Sequence, residues 1–267
     1  MKKLISIILS LFILIGFSAN IFGSDKKAAP IKYTVGLNGN VLKQWDYIKA
    51  EIAKDNIELV LVVFDSYPLP NRALADKEVD LNAFQHYAYL NNEIKRFGYD
   101  IIPIADTVYA PLGLYSQKIT SFDQLKDGDK IVIPDDTTNG GRALILLEAN
   151  GLIEVDDAAG WVPTVKNITK NPHNYQIVEL EAVNIPGSLP EVALAAVNSG
   201  VAVDAGIIGK HIVLEIASKE NPYVNVIAVR REDKDNEIAK KIIAIYHTDE
   251  VKKIIIEQSK GSQIPVW

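Results

Sequence analysis

Lys130-Ile131-Val132-Ile133-Pro134-Asp135-Asp136-Thr137-Thr138-Asn139-Gly140-Gly141-Arg142-Ala143-Leu144-Ile145-Leu146-Leu147 reads in order as a strand, a turn and a helix. Lys130–Ile133 is a short apolar run, residues 134–138 have turn chemistry, and helical composition resumes at Ala143. Two glycines and an arginine at the handover from strand to helix predict an anion site. Uncovered backbone N–H groups and the positive end of the helix macrodipole favour a carboxylate or phosphate there, and Arg142 adds a bidentate fork. Asn139, Gly140, Gly141 and Arg142 are therefore candidate binding residues. The plain alternative is a tight turn carrying a surface arginine.

The same alternation runs outward in both directions. Ile31–Leu37 reads as strand, Val41–Lys54 as a helix with Leu42, Trp45, Ile48 and Ile52 on one face, and Ile57–Phe64 as an apolar strand, which is a βαβ opening. Helix signals recur at Asn71–Lys77 and Gln85–Phe97, and strand signals at Asp100–Ile104, Leu112–Tyr115, Ile177–Leu180 and Asn225–Val229. The end of the chain, Asp235–Tyr246 and Asp249–Gln258, reads as two helices. Such alternation predicts an α/β sandwich with a mostly parallel sheet. Apparent crossings near Val108–Gly113 and Val226–Arg231 predict two lobes with a cleft between them. The expected division is residues 31–108 with 229–267 in the first lobe and 109–228 in the second.

One segment stays ambiguous. Ser188-Leu189-Pro190-Glu191 fits a capping box, so Ser188–Val197 is either one helix or a short helical turn before a buried strand Ala193–Val197. The second option puts Asn198 at the carboxyl end of a strand, where open α/β sheets hold their ligands.

The chain has 267 residues, 48% of them hydrophobic, enough for real cores in two lobes. Lys2 and Lys3, an apolar run from Leu4 to Phe17, then small and polar residues to Ser24 read as a secretory signal over residues 1–23. About 14 apolar residues are short for a permanent membrane anchor. Removing the two lysines takes the net charge from −6 to −8, against a nucleic-acid partner and against docking on anionic lipid by charge alone. Cysteine is absent, which excludes thiol catalysis, thiolate metal sites and a lipid thioether. His86, His173, His211 and His247 have no close metal-ligand spacing. No G-x-S-x-G elbow or dinucleotide glycine fingerprint occurs, so the chain is expected to be neither an enzyme nor dependent on a cofactor or metal.

Tyr67-Pro68-Leu69-Pro70-Asn71-Arg72-Ala73-Leu74-Ala75-Asp76, then Asp80-Leu81-Asn82-Ala83-Phe84-Gln85-His86-Tyr87-Ala88-Tyr89-Leu90, resembles the methionine-binding lipoproteins, the NlpA family of substrate-binding proteins for ABC importers. Asn139–Leu144, Ile177–Ala182, Asn221-Pro222-Tyr223 and the closing Ile264-Pro265-Val266-Trp267 extend the resemblance in order over residues 31 to 267. It implies a type II periplasmic-binding-protein fold whose two α/β lobes close on a small amino acid. By the same resemblance, Arg142 binds the ligand carboxylate and Asn198 its backbone polar groups. Tyr67, Phe84, His86, Tyr89 and Tyr109 would wall a thioether side chain, which gains from aromatic edges and apolar burial. The plain alternative is core packing for Phe84 and Tyr89, and a hydrogen-bonded structural role for His86.

The implied partners are methionine or a close analogue and an ABC permease in the membrane, with the receptor exported to the periplasm or cell envelope and monomeric. A receptor for a methionine dipeptide or another small amino acid, and a surface protein with a vestigial cleft, stay open. The chain also departs from the family. Asn20 stands where a lipobox cysteine is usual, Gly187 where many relatives carry arginine, and Ala193 where they carry aspartate. The loop Leu37-Asn38-Gly39-Asn40 lacks the customary Pro and His.

Overall fold

The computed structural model describes residues 28–39, 43–216 and 222–267. The expected signal over 1–23, Asn20 with it, lies outside the described residues, as do Val41, Leu42 and Asn221.

The βαβ opening is β1 (Ile31–Asn38), α1 (Lys43–Ile52) and β2 (Ile57–Phe64). Next come α2 (Pro68–Ala75), β3 (Leu81–Asn82), α3 (Tyr87–Phe97) and β4 (Ile101–Tyr109). Then follow β5 (Leu112–Tyr115), β6 (Lys130–Pro134), α4 (Thr137–Ala149), β7 (Glu154–Val155), β8 (Ile168–Lys170), β9 (Gln176–Leu180), α5 (Ile185–Ser188), β10 (Leu194–Asn198), α6 (Ser199–Asp204) and β11 (His211–Leu214). The chain closes with β12 (Val224–Arg230), α7 (Glu237–Tyr246), α8 (Asp249–Gln258) and β13 (Ile264–Pro265).

Two large sheets result, the first in the order β13-β4-β12-β3-β1-β2 and the second in the order β11-β5-β10-β6-β9, while β7 and β8 form a small antiparallel pair of their own. Neither is mostly parallel, contrary to the sequence expectation. In the first, β1 pairs parallel with β2 and β3, whereas β12 and β4 run antiparallel to their neighbours. In the second, β6 lies parallel between β9 and β10, and β5 is antiparallel to β10 and β11. The reason is connectivity: the strands that carry the chain between sheets enter against the direction of the βαβ units. β12 lies in the first sheet from Val224, so the return crossing precedes Val224 and does not fall at 228. β4 outruns the expected Asp100–Ile104 because Pro103 is accommodated at a register shift opposite Ala228.

Each sheet has its own core. Trp45, Ile48 and Ile52 of α1 pack with Ile242 and Tyr246 of α7 and Val251 and Ile255 of α8 over Tyr33, Val35 and Leu37. In the second sheet the two-residue period divides the strands: Ile131 and Ile133 face Leu144 and Leu147 of α4, while Val132, Ala195 and Val197 face Ile185, Leu189 and Val201. Strands covered on both sides read as continuous apolar runs. The ambiguous segment resolves into the four-residue α5 and then β10, with Asn198 at the carboxyl end of that strand.

Candidate functional site

The cleft between the two sheets encloses a cavity of about 130 Å³. Tyr67, Phe84, His86 and Tyr89 from the first lobe line it, and Asn139, Arg142 and Asn198 line it from the second. Seven of the ten expected residues thus share one cavity. Tyr109 stands behind, its ring 5.8 Å from the Arg142 guanidinium and its hydroxyl donating to the Ile216 carbonyl at 3.3 Å.

Gly140 and Gly141 do something else. Helix α4 begins at Thr137, not at Ala143, and Asp136 caps it by accepting from the Asn139 N–H at 2.9 Å. The glycines are inside its first turns, and the Gly140 N–H donates to the Asp136 carbonyl at 2.8 Å. The helix start is therefore capped by its own carboxylate at the Asn139 N–H. A Cβ at Gly140 would lie 2.7 Å from the Pro134 carbonyl oxygen, and one at Gly141 2.9 Å from both the Pro163 carbonyl oxygen and Val162 Cα. These glycines let α4 press against the end of β6 and the Val162-Pro163 loop.

The apolar wall is a triangle of rings. Tyr67, Phe84 and Tyr89 have centroids 6.0–6.3 Å apart, with Tyr89 meeting the other two edge-on. A buried set of amides holds this segment: Asn71 and Gln85 exchange side-chain hydrogen bonds of 2.7 and 2.6 Å, and Asn82 donates to Asn71 at 3.0 Å. Burial pushes the Tyr67 and Tyr89 hydroxyls well above the usual phenol range, so both stay neutral.

The polar side is ordered by a relay that starts at Asp136. Its carboxylate accepts from Asn139 Nδ2 at 2.9 and 3.0 Å, which turns Asn139 Oδ1 toward the cleft. That oxygen accepts from Asn198 Nδ2 at 2.8 Å and faces His86 Nε2 at 3.2 Å. His86 caps α3, its Nδ1 accepting from the Tyr89 N–H at 3.0 Å, so Nε2 carries the proton and donates to Asn139. Burial, then the nearby Arg142 charge, lowers the His86 pKa to about 3. With Nδ2 committed, Asn198 is left with a buried Oδ1 that has no partner among the described residues. An acceptor held in that way asks for a donor from a ligand.

Arg142 is 2% exposed and its planar fork faces a residue that the sequence reading did not single out. Nε donates to Glu215 Oε1 at 3.0 Å and Oε2 at 2.8 Å, and Nη2 donates to Oε2 and to the Ala110 carbonyl, the latter at 2.9 Å. The Tyr223 ring lies 4.3 Å from the guanidinium carbon. Nε and Nη2 thus carry these hydrogen bonds, and Arg142 is also one of the residues that line the cavity. Asn225, also missed, lines the cavity and donates from Nδ2 to the Phe84 carbonyl at 3.4 Å. It belongs to the return strand, and no local sequence signal separates it from ordinary strand polarity.

A family model described as NlpA lipoprotein matches residues 34–267. The chain belongs to the NlpA lipoprotein family. The D-methionine-binding lipoprotein MetQ of Escherichia coli (strain K12) is 38% identical over 249 residues, 92% of this chain and 92% of that protein. A nutrient binding protein from Burkholderia cenocepacia, solved bound to methionine, superposes with a TM-score of 0.83 at 35% identity, covering 88% of this chain and 100% of the other. The substrate binding protein of a methionine transporter from Streptococcus pneumoniae gives 0.84 at 39% identity, with 88% and 96% covered. The two-lobed α/β architecture is thus that of the NlpA family's substrate-binding proteins.

Proposed function

We propose that this NlpA-family chain is an exported substrate-binding protein that captures methionine or a close analogue and hands it to an ABC importer by hinge closure. The observation that carries the reading is the convergence on one cavity of Arg142, the unpartnered Asn198 Oδ1 and the Tyr67-Phe84-Tyr89 rings. A zwitterion leaving water needs fixed partners for both charges, and a thioether gains from apolar burial and ring edges. Arg142 Nη1 suits the carboxylate, Asn198 Oδ1 the ammonium, and the rings the side chain. The methionine-binding relatives support methionine as the ligand class.

The mechanism is a shift of population. An open form admits ligand, residues from both lobes contact it, and the closed form is the one that the permease reads. We take residues 31–109 with 224–267, and 110–216, as the two moving bodies, with the return junction ahead of Val224. No cofactor, metal or nucleic acid enters this scheme, no bond is made or broken, and the protein acts as a monomer. Among the described residues no helix is long and apolar enough to cross a membrane.

Protein freed of bound ligand by unfolding and refolding should melt at higher temperature with methionine, since a ligand that binds only the native state stabilises it. A panel of L-methionine, D-methionine, a methionine dipeptide and other amino acids identifies the ligand. No shift with any member overturns the reading.

A further inference from the structure

Glu215, which pairs with the cleft residue Arg142 without itself lining the cavity, is not used by this functional reading. Its carboxylate is built in: Arg142 Nε and Nη2 and, at 3.3 Å, the Leu112 N–H all donate to it, while the Glu215 N–H donates to the Leu112 carbonyl at 2.9 Å. The ladder of β11 on β5 therefore fixes its backbone beside the arginine. The Arg142 and Glu215 side chains are 2% and 14% exposed, so solvent screens their pairing little. A guanidinium offers two bidentate edges; here the Nε–Nη2 edge is taken by an internal anion, and Nη2 also donates to the Ala110 carbonyl.

We propose that Glu215 is a specificity-determining residue that neutralises Arg142 and weakens the cleft's demand for a free carboxylate on the ligand. The inference rests on the methionine reading and deepens it. With Nε and Nη2 engaged, Nη1 is the nitrogen left for a ligand carboxylate, on a cation that a fixed like charge already pairs. Attraction to the cation and repulsion from Glu215 then largely cancel. A carboxamide, which feels neither, loses little by comparison. The ligand class extends from free methionine to methionine derivatives whose carboxyl group is neutral.

The test is calorimetric titration of refolded protein with L-methionine and L-methioninamide. The quantity read is the ratio of the two Kd values, amide over acid. In wild type it should lie below about a hundredfold, because the paired guanidinium offers no net charge to the acid. A ratio above about a hundredfold overturns the inference from wild type alone, whether or not any variant folds. Glu215→Gln keeps the shape and removes the charge, so it should raise the ratio by about tenfold or more, mainly through tighter methionine binding. A folded Glu215→Gln protein with an unchanged ratio also overturns the inference. A purely structural effect would move both Kd values together. If wild type binds neither compound, the methionine reading falls and this inference with it; binding with the wrong ratio removes this inference alone.

Discussion

At the scale of single residues, Arg142 shows most plainly what burial changes. Its place after a strand-turn-helix signal made it legible as a cleft residue, and the sequence alone suggests that the fold should barely notice its loss. In the structure it is buried and paired with Glu215, 73 positions away. Arg142→Ala should therefore cost about 3–5 kcal/mol of stability as well as ligand affinity, because it strands a largely buried carboxylate. Urea denaturation of Arg142→Ala and of Arg142→Ala with Glu215→Ala measures this, and the double variant should recover much of the loss. Glu215 was not legible, since it is one charge at a strand end whose meaning depends on β11 pairing with β5. His86 gives a second expectation. Its pKa is lowered from 6.5 to about 3, so the unfolded chain takes up a proton as pH falls below 6.5 while the folded one refuses it. Its contribution to stability is intact above pH 6.5 and is lost progressively as pH falls toward 3. Denaturant midpoints against pH for wild type and His86→Gln should diverge on the acid side in slope; parallel curves would refute a neutral buried imidazole.

At the scale of elements, the apolar runs announced their strands well, and β5 and α8 match their expected limits. The start of α4 was not legible. Glycine is a poor helix former, so Gly140-Gly141 reads as turn, and only the approach of Pro134 and Pro163 explains two glycines inside a helix. The mixed character of the sheets was hidden for a related reason: strand direction is settled by which strand carries the chain across, and composition does not record it. The glycines give a test with a sign that reverses the usual rule. In an open helix Gly→Ala stabilises by up to about 1 kcal/mol. At Gly141 the new methyl would meet backbone at 2.9 Å, so Gly141→Ala should destabilise by about 1–3 kcal/mol. Gly187→Ala, with nothing within 4 Å of the added carbon, is the control. Thermal melts that rank the two variants alike would remove close helix packing as the reason for Gly141.

At the scale of the whole molecule, ligand affinity depends on how often the two lobes are closed as well as on the cleft itself. Contacts between lobes that never touch ligand should therefore be felt in the apparent Kd. Ser66, between β2 and α2, donates from Oγ to Glu181 beyond β9 at 2.8 Å, and neither residue lines the cavity. The approach of Gly39 to Asp204, where an added Cβ would lie 2.8 Å from the carboxylate, is a second meeting of the lobes. A hydrogen bond of the Ser66 kind is worth about 0.5–1.5 kcal/mol net, so its loss tilts the open-closed balance by about two- to tenfold. Ser66→Ala should weaken methionine binding by that factor, through faster dissociation, with an unchanged fold. Solution scattering should find the ligand-free variant no more compact than wild type, and saturating methionine should bring both to the same radius. If Ser66→Ala leaves both affinity and dissociation rate untouched, the Ser66–Glu181 contact does not belong to the closed state, and closure must be carried by the cleft residues alone.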